Sequence, residues 1–266
     1  MDDQNFYAPP QADINPGEYD NVQPRSMGET INEMGALYLS SWQVMLPVAL
    51  VLGFSNTFFE FLMEADTADM ALGGLPGPLF YLSFLGSMVI GVYLWAVGFL
   101  RIHNFRRTGE VKNEFEEGFG FFIPIAIFYF LYFSSATLGL LLCLLPGIFI
   151  GLLFIVGDAA IVAERAGPIE AFRRSYELVW GNIWYVLGLS IIYGMLIGFP
   201  VGVIQVGTEL LFAEFTAVKL LVSFVLAVMV FPAWIIFSYV LYESLSGKHT
   251  DHYTEETDGT TAPEPW

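Results

Sequence analysis

Residues 119–157 carry no charged side chain, and this run decides what the chain can fold into. A helix rises ~1.5 Å per residue and the hydrocarbon core of a bilayer is ~30 Å thick, so one crossing takes about 20 residues. A run of 39 is too long for one membrane helix and right for two. Pro146-Gly147, inside the run, supplies the turn chemistry of a tight hairpin. Apolar runs of single-span length recur on both sides. The spacing predicts an all-α polytopic membrane protein with six transmembrane helices: Trp42–Met63, Leu79–Leu100, Phe121–Leu142, Pro146–Val162, Trp184–Gln205 and Leu220–Tyr242. Composition agrees, since 55% of residues are hydrophobic and 14% charged, whereas a soluble domain carries ~25% charged residues.

The net charge of −17 says little about partners, because the acids crowd into the ends. Seven precede the first span and six lie at or after Glu243. Acidic tails repel nucleic acid and anionic lipid, so no nucleic-acid partner is expected. Residues 1–25 hold Pro9, Pro10, Pro16 and Pro24 among Asp, Asn and Gln, too little apolar surface to offset ordering entropy, and read as a disordered tail. Residues 243–266 read as a second, acidic one, leaving 26–242 as the membrane domain. The segment Asn5–Pro10 has no assigned role. Cys143 is the single cysteine, so neither an intrachain disulfide nor a thiolate metal cluster forms. A mixed first 41 residues with an acidic start predict no cleaved signal peptide.

Orientation follows from the loops. Arg25, Arg101, Arg106, Arg107, Lys112, Arg165, Arg173, Arg174 and Lys248 fall on one side of a six-span arrangement, and Lys219 alone on the other. Under the positive-inside rule this places both termini in the cytoplasm. Three cytoplasmic segments resemble one another: Gly28–Met34, Gly109–Phe115 and Gly167–Phe172. A parallel triplication of an amphipathic helix plus two spans accounts for them; so does coincidence in a low-complexity sequence.

Few residues invite a chemical role. Around Gly167–Trp180, Pro168 sits at a first helical position, Ile169, Phe172, Tyr176, Val179 and Trp180 share one face, and Glu170, Arg173, Arg174 and Glu177 take the other. This predicts an interfacial amphipathic helix whose guanidinium groups meet lipid phosphate or a carboxylate. Span five carries Ser190, Gly194, Gly198 and Gly202 at four-residue spacing, a stripe that predicts close packing against a neighbouring helix; Gly147 and Gly151 repeat it in span four. Asp158 lies inside span four, where a charge must be paired or wet, and Arg173 and Arg174 are the expected partners. Glu60, Glu64, Asp66 and Asp69 gather at the outer end of span one and read as a solvated acidic loop or a weak divalent-cation site.

No enzyme signature is visible. The histidines are His103, His249 and His252, without a helical metal-binding pair, and neither a nucleophile elbow nor a phosphate-binding glycine loop occurs. No catalytic residue, metal or cofactor is predicted.

Leu144-Leu145-Pro146-Gly147-Ile148, then Glu164, Gly167-Pro168, Ala171, Arg174-Ser175, Leu178, Gly181, Trp184 and Gly188, resemble the YciC-like family of bacterial inner-membrane proteins. The pattern is also similar to the membrane domain that precedes some glycerophosphodiester phosphodiesterases. The resemblance covers residues 140–190 and implies a six-span bundle in a bacterial cytoplasmic membrane, without catalytic residues. In those phosphodiesterases the chemistry belongs to a separate soluble domain, and only 24 residues follow span six here.

Two functions fit the sequence. One is a non-catalytic membrane component, embedded in the lipid bilayer and acting as partner or scaffold for another membrane protein of the cell envelope. The other is a transporter or lipid-handling bundle, whose mark would be intramembrane polar residues lining a shared cavity; Asn56, Asp158 and Gln205 are the scattered candidates. For topology, reporters fused after Arg107, after Arg174 and at Trp266 read cytoplasm, and reporters near Asp66 and Thr208 read the opposite side. One inverted reporter contradicts the arrangement.

Overall fold

A computed structural model describes residues 24–66, 77–142 and 144–247. Among them the secondary structure is helical, with no strand: α1 (Met27–Asp66), α2 (Pro78–Thr108), α3 (Glu114–Leu142), α4 (Leu144–Leu153), α5 (Gly157–Glu164), α6 (Pro168–Trp180), α7 (Ile183–Tyr193), a π-turn (Gly194–Gly198), α8 (Phe199–Leu211) and α9 (Thr216–Ser246). Six stretches are long and apolar enough to cross a membrane: Met27–Leu62, Pro78–Thr108, Glu114–Leu141, Leu144–Glu164, Ile183–Leu211 and Thr216–Ser246. The chain is therefore an all-α polytopic bundle. Asn5–Pro10, Cys143, Asp69, Lys248, His249 and His252 lie outside the described residues.

The helices overrun the sequence-predicted spans at the basic end. α1 begins at Met27 rather than Trp42, and its 40 residues extend about 60 Å, twice the hydrocarbon thickness. α9 runs on to Ser246, with Glu243, Ser244 and Ser246 buried, so a tail starting at Glu243 is corrected: residues 243–246 are packed helix. Hydropathy falls where polar side chains appear, yet Thr30, Ser41, Glu243, Ser244 and Ser246 among them are buried in protein.

α1 and α9 lie against each other, α2 packs on both, and α3 joins α2 and pairs with α4. Met45, Val48, Val97, Phe99, Phe128, Ile235 and Ile236 are buried at these contacts. The α3–α4 hairpin closes tightly because a Cβ on Gly139 would come within 2.9 Å of the Gly147 Cα. Small residues thus let two backbones approach in span four, as expected for Gly147. Gly151 has only the Tyr132 hydroxyl nearby, at 3.7 Å.

Span four is a broken helix. A turn at Phe154–Val156 separates α4 from α5 and frees carbonyls that hydrocarbon cannot satisfy. Ser175 donates to the Leu153 carbonyl at 2.8 Å and Ser238 to the Ile155 carbonyl at 3.0 Å. Span five is interrupted as well. Pro200 has no N–H to give, and the π-turn just before it absorbs the mismatch.

The three similar glycine-led segments differ in local structure. Gly28 lies within continuous α1, Gly109 is a left-handed cap that ends α2 by donating to the Phe105 carbonyl, and Gly167 precedes α6. Only the third is a separate amphipathic helix.

Candidate functional site

At the basic end, arginine and carboxylate side chains meet inside the protein. Arg106 of α2 bonds both Glu33 of α1 and Glu243 of α9, the latter at 2.7 Å, and Arg25 also pairs with Glu33. The Arg25 amide donates to Ser244 at 3.2 Å, Ser244 meets the Tyr185 hydroxyl at 2.9 Å, and Tyr185 meets Thr30 at 2.7 Å. His103 bonds Tyr239 at 3.0 Å. One network therefore ties α1, α2, α7 and α9. Glu33, Arg106 and Glu243 were assigned to tails or loops from sequence alone; the signal available was the polar period Tyr239, Tyr242, Glu243, Ser246 along α9.

Asp158 is buried at the start of α5, where the helix dipole favours a carboxylate. Its partners are hydroxyls, not arginines. Tyr129 of α3 donates at 2.9 Å, Ser238 of α9 at 2.7 Å, and the Ala159 amide at 2.8 Å. The expected pair with Arg173 or Arg174 is corrected. Arg174 turns inward, buried, and donates to Glu164 at 3.1 Å, where Tyr242 also donates at 2.6 Å. It is thus withdrawn from lipid phosphate. Arg173 is exposed and lies 3.5 Å from Glu177 on its own helix. Ile169, Tyr176 and Trp180 of α6 are exposed, as an interfacial helix requires, while Ala171, Ser175 and Leu178 face the bundle.

The glycine stripe of span five does not pack. A Cβ on Gly194, Gly198 or Gly202 would meet nothing within 4 Å, and the Ser190 hydroxyl is buried without a partner among the described residues. Span five touches the bundle along its other face, and loosely, because a groove runs there.

That groove, about 500 Å³, lies between α1, span five and α9. Met34, Tyr38, Leu196, Pro200, Met229 and Phe237 line it, and Leu39, Leu196 and Met229 are exposed on its flank. Its walls are apolar with two exceptions. Tyr38 donates to the Met229 carbonyl at 3.1 Å. The Tyr193 hydroxyl, beside Trp234 and Phe237, is buried and has no hydrogen-bond partner among the described residues.

A second cavity of about 570 Å³ adjoins the first and shares Val201, Leu226 and Val230 with it. Asn56 and Glu60 of α1, Ser87 of α2, Gln205 of α8 and Ser223 of α9 bring polar groups to it; Phe59, Trp95, Phe231 and Trp234 complete its walls. Asn56 and Gln205, scattered in sequence, thus share one cavity, and Asp158 is not part of it. Of the acids at this end of span one, Glu60 lines the cavity, accepting from Ser223 at 3.5 Å. No group of three His, Cys, Asp or Glu suited to a metal exists among the described residues.

These features define the class: a multi-pass helical membrane protein with a polar-locked end and an amphipathic cavity toward the other. The chain belongs to the family described as a domain of unknown function, DUF7847, which matches residues 45–245. No curated protein and no solved structure matches it significantly.

The separate networks predict separate energetics. Asp158→Asn and Ser238→Ala, combined, lose less stability than the sum of the single changes, with a coupling of about 1 kcal/mol. Asp158→Asn with Arg173→Gln is additive. Thermal unfolding of the three single and two double variants in detergent checks this, and coupling to Arg173 contradicts the arrangement.

Proposed function

We propose that this protein is a non-catalytic, lipid-handling membrane bundle that holds one amphiphilic molecule between spans one, five and six. The observation that carries this reading is that the apolar groove and the polar cavity lie side by side, with Val201, Leu226 and Val230 lining both. A hydrocarbon chain in the first places its head in the second. Both volumes fall in the ~300–1,000 Å³ range of ligand pockets. Along α9 the groove spans Leu226 to Phe237, about 16 Å of helix, half of the hydrocarbon core and so one leaflet deep. Exposed Leu39 and Met229 give a chain lateral entry from the bilayer.

The Tyr193 hydroxyl supports the same occupant. A buried donor without an acceptor costs ~1–3 kcal/mol, and a turn of the Tyr193 ring that brings its hydroxyl to an ester carbonyl of a chain in the groove would relieve that cost. Intramembrane polar residues lining a shared cavity are the mark of lipid handling rather than of a scaffold, and Asn56, Glu60 and Gln205 line one. The resemblance of residues 140–190 supports a bacterial cytoplasmic membrane, and the lysine and arginine distribution supports both termini inside, which puts the polar cavity in the outer half.

The test uses a monoacylglycerol with a brominated chain, titrated into the full chain in maltoside micelles, with quenching of Trp234 as readout. Saturable quenching is expected. Tyr193→Phe weakens binding about fivefold, the equivalent of one hydrogen bond of ~1 kcal/mol, without lowering the unfolding temperature of the ligand-free protein. Ala233→Phe fills the groove and removes the saturable phase. Quenching that never saturates and is equal in all three proteins means annular lipid only, and overturns the reading.

A further inference from the structure

Resting on the amphiphile reading, we infer that the polar cavity takes a polyhydroxylated head, a glycerol or a sugar, carried on the chain that fills the groove. Asn56 of α1 and Gln205 of α8 line the cavity from two different spans, and neither amide makes a hydrogen bond among the described residues. Both residues are exposed rather than sealed inside the protein, so a bound molecule can reach them. Asn56 lies about 10 Å of helix short of Met63, the predicted end of span one, and is therefore at hydrocarbon depth. Hydrocarbon satisfies neither the N–H groups nor the carbonyl of an amide.

The mixture of donors and acceptors on the walls narrows the class. An ammonium head only donates and leaves the amide N–H groups unpaired; an ionised phosphate or an ester carbonyl only accepts and leaves the amide carbonyls unpaired. A hydroxyl does both. Two further side chains raise the number of hydroxyls required. Ser87 spends its hydrogen on the Phe84 carbonyl at 2.9 Å, and Ser223 turns its own toward Glu60 at 3.5 Å, so each serine oxygen is left as an acceptor. Acceptors thus stand on α1, α2, α8 and α9 around one cavity. One hydroxyl supplies a single hydrogen, and several on the same head are needed to meet them. Trp95 and Trp234, in the same walls, offer flat apolar faces to the C–H side of such a head.

The experiment uses the full chain in polyoxyethylene micelles, which lack the sugar heads of a maltoside, with quenching of the cavity tryptophans as readout. The probes share one brominated twelve-carbon chain: the glycerol ether of dodecanol, and the same compound with both hydroxyls methylated. Methylation keeps every acceptor oxygen and removes the donors. At equal mole fraction in the micelle the diol is expected to bind about tenfold tighter, a preference of ~1.4 kcal/mol. Asn56→Leu combined with Gln205→Met keeps side-chain size, brings the diol to the level of the methylated probe and leaves that probe unchanged. The unfolding temperature of the ligand-free protein does not fall, because neither amide holds the fold together. The comparison of the two probes on the unaltered protein stands even where the double variant fails to fold. Equal binding of diol and methylated probe, with the saturable phase still removed by Ala233→Phe, overturns the hydroxyl selection and leaves the amphiphile reading intact. A preference that survives in the folded double variant overturns the role of the two amides. No saturable binding of either probe overturns both readings. Dodecyl glucoside with the same brominated chain separates the two sources of the head: binding at the strength of the diol or above assigns a sugar, and binding near the methylated probe assigns a glycerol.

Discussion

Hydrocarbon offers no water to complete a hydrogen bond, so a membrane bundle must satisfy its buried polar groups from within. In this protein that demand converges on the C-terminal half of α9. Ser238 serves Asp158 and the broken backbone of span four, Tyr242 serves Glu164 and through it Arg174, and Glu243 receives Arg106, which also holds Glu33 of α1. One helix face therefore fixes the positions of α1, α2, α5 and α6. Removing one partner from such a buried ionic set costs ~3–5 kcal/mol, because the remaining charge is stranded. The end of the bundle near Glu243 is consequently its rigid end.

The consequence appears on the far side of α1 and α9. Span five is tied at its start, through Tyr185, to Thr30 and Ser244, and then passes the π-turn and Pro200. Beyond that point it stands off, its glycines facing open space, and the groove and polar cavity fill the angle. A rigid end and a splayed end are two results of one distribution of polar side chains. From Ser223 at the cavity to Glu243 in the network is 20 residues of α9, about 30 Å, the thickness of the hydrocarbon core. The fold thus presents a locked polar network at one end of α9 and a cavity with polar groups toward the other.

Span number was legible because length and charge-free runs are read directly from sequence, residues 119–157 most clearly. Span ends were less so: hydropathy drops at Glu243 and before Trp42 whether polar residues face water or protein. Asp158 was singled out correctly as an intramembrane acid, but its partners, Tyr129 and Ser238, are residue types with no signature of their own. Charge logic pointed instead to Arg173 and Arg174, the first exposed and the second held by Glu164. The span-five stripe followed a sound packing rule; the rule says that close approach is permitted, not that a neighbour is present. Asn56 and Gln205 were visible singly, and their meeting depends on how spans one and five sit around α9, which no local pattern encodes.

The central claim is that the rigid network holds open a site for a single amphiphile rather than a surface wetted by many lipids. Native mass spectrometry of the unmodified chain, released from maltoside micelles, tests it most directly. The account predicts a discrete complex of one chain with one lipid-sized molecule that survives the activation needed to strip the micelle. Bare chain alone, or a broad ladder of adducts that declines smoothly with activation, would contradict it.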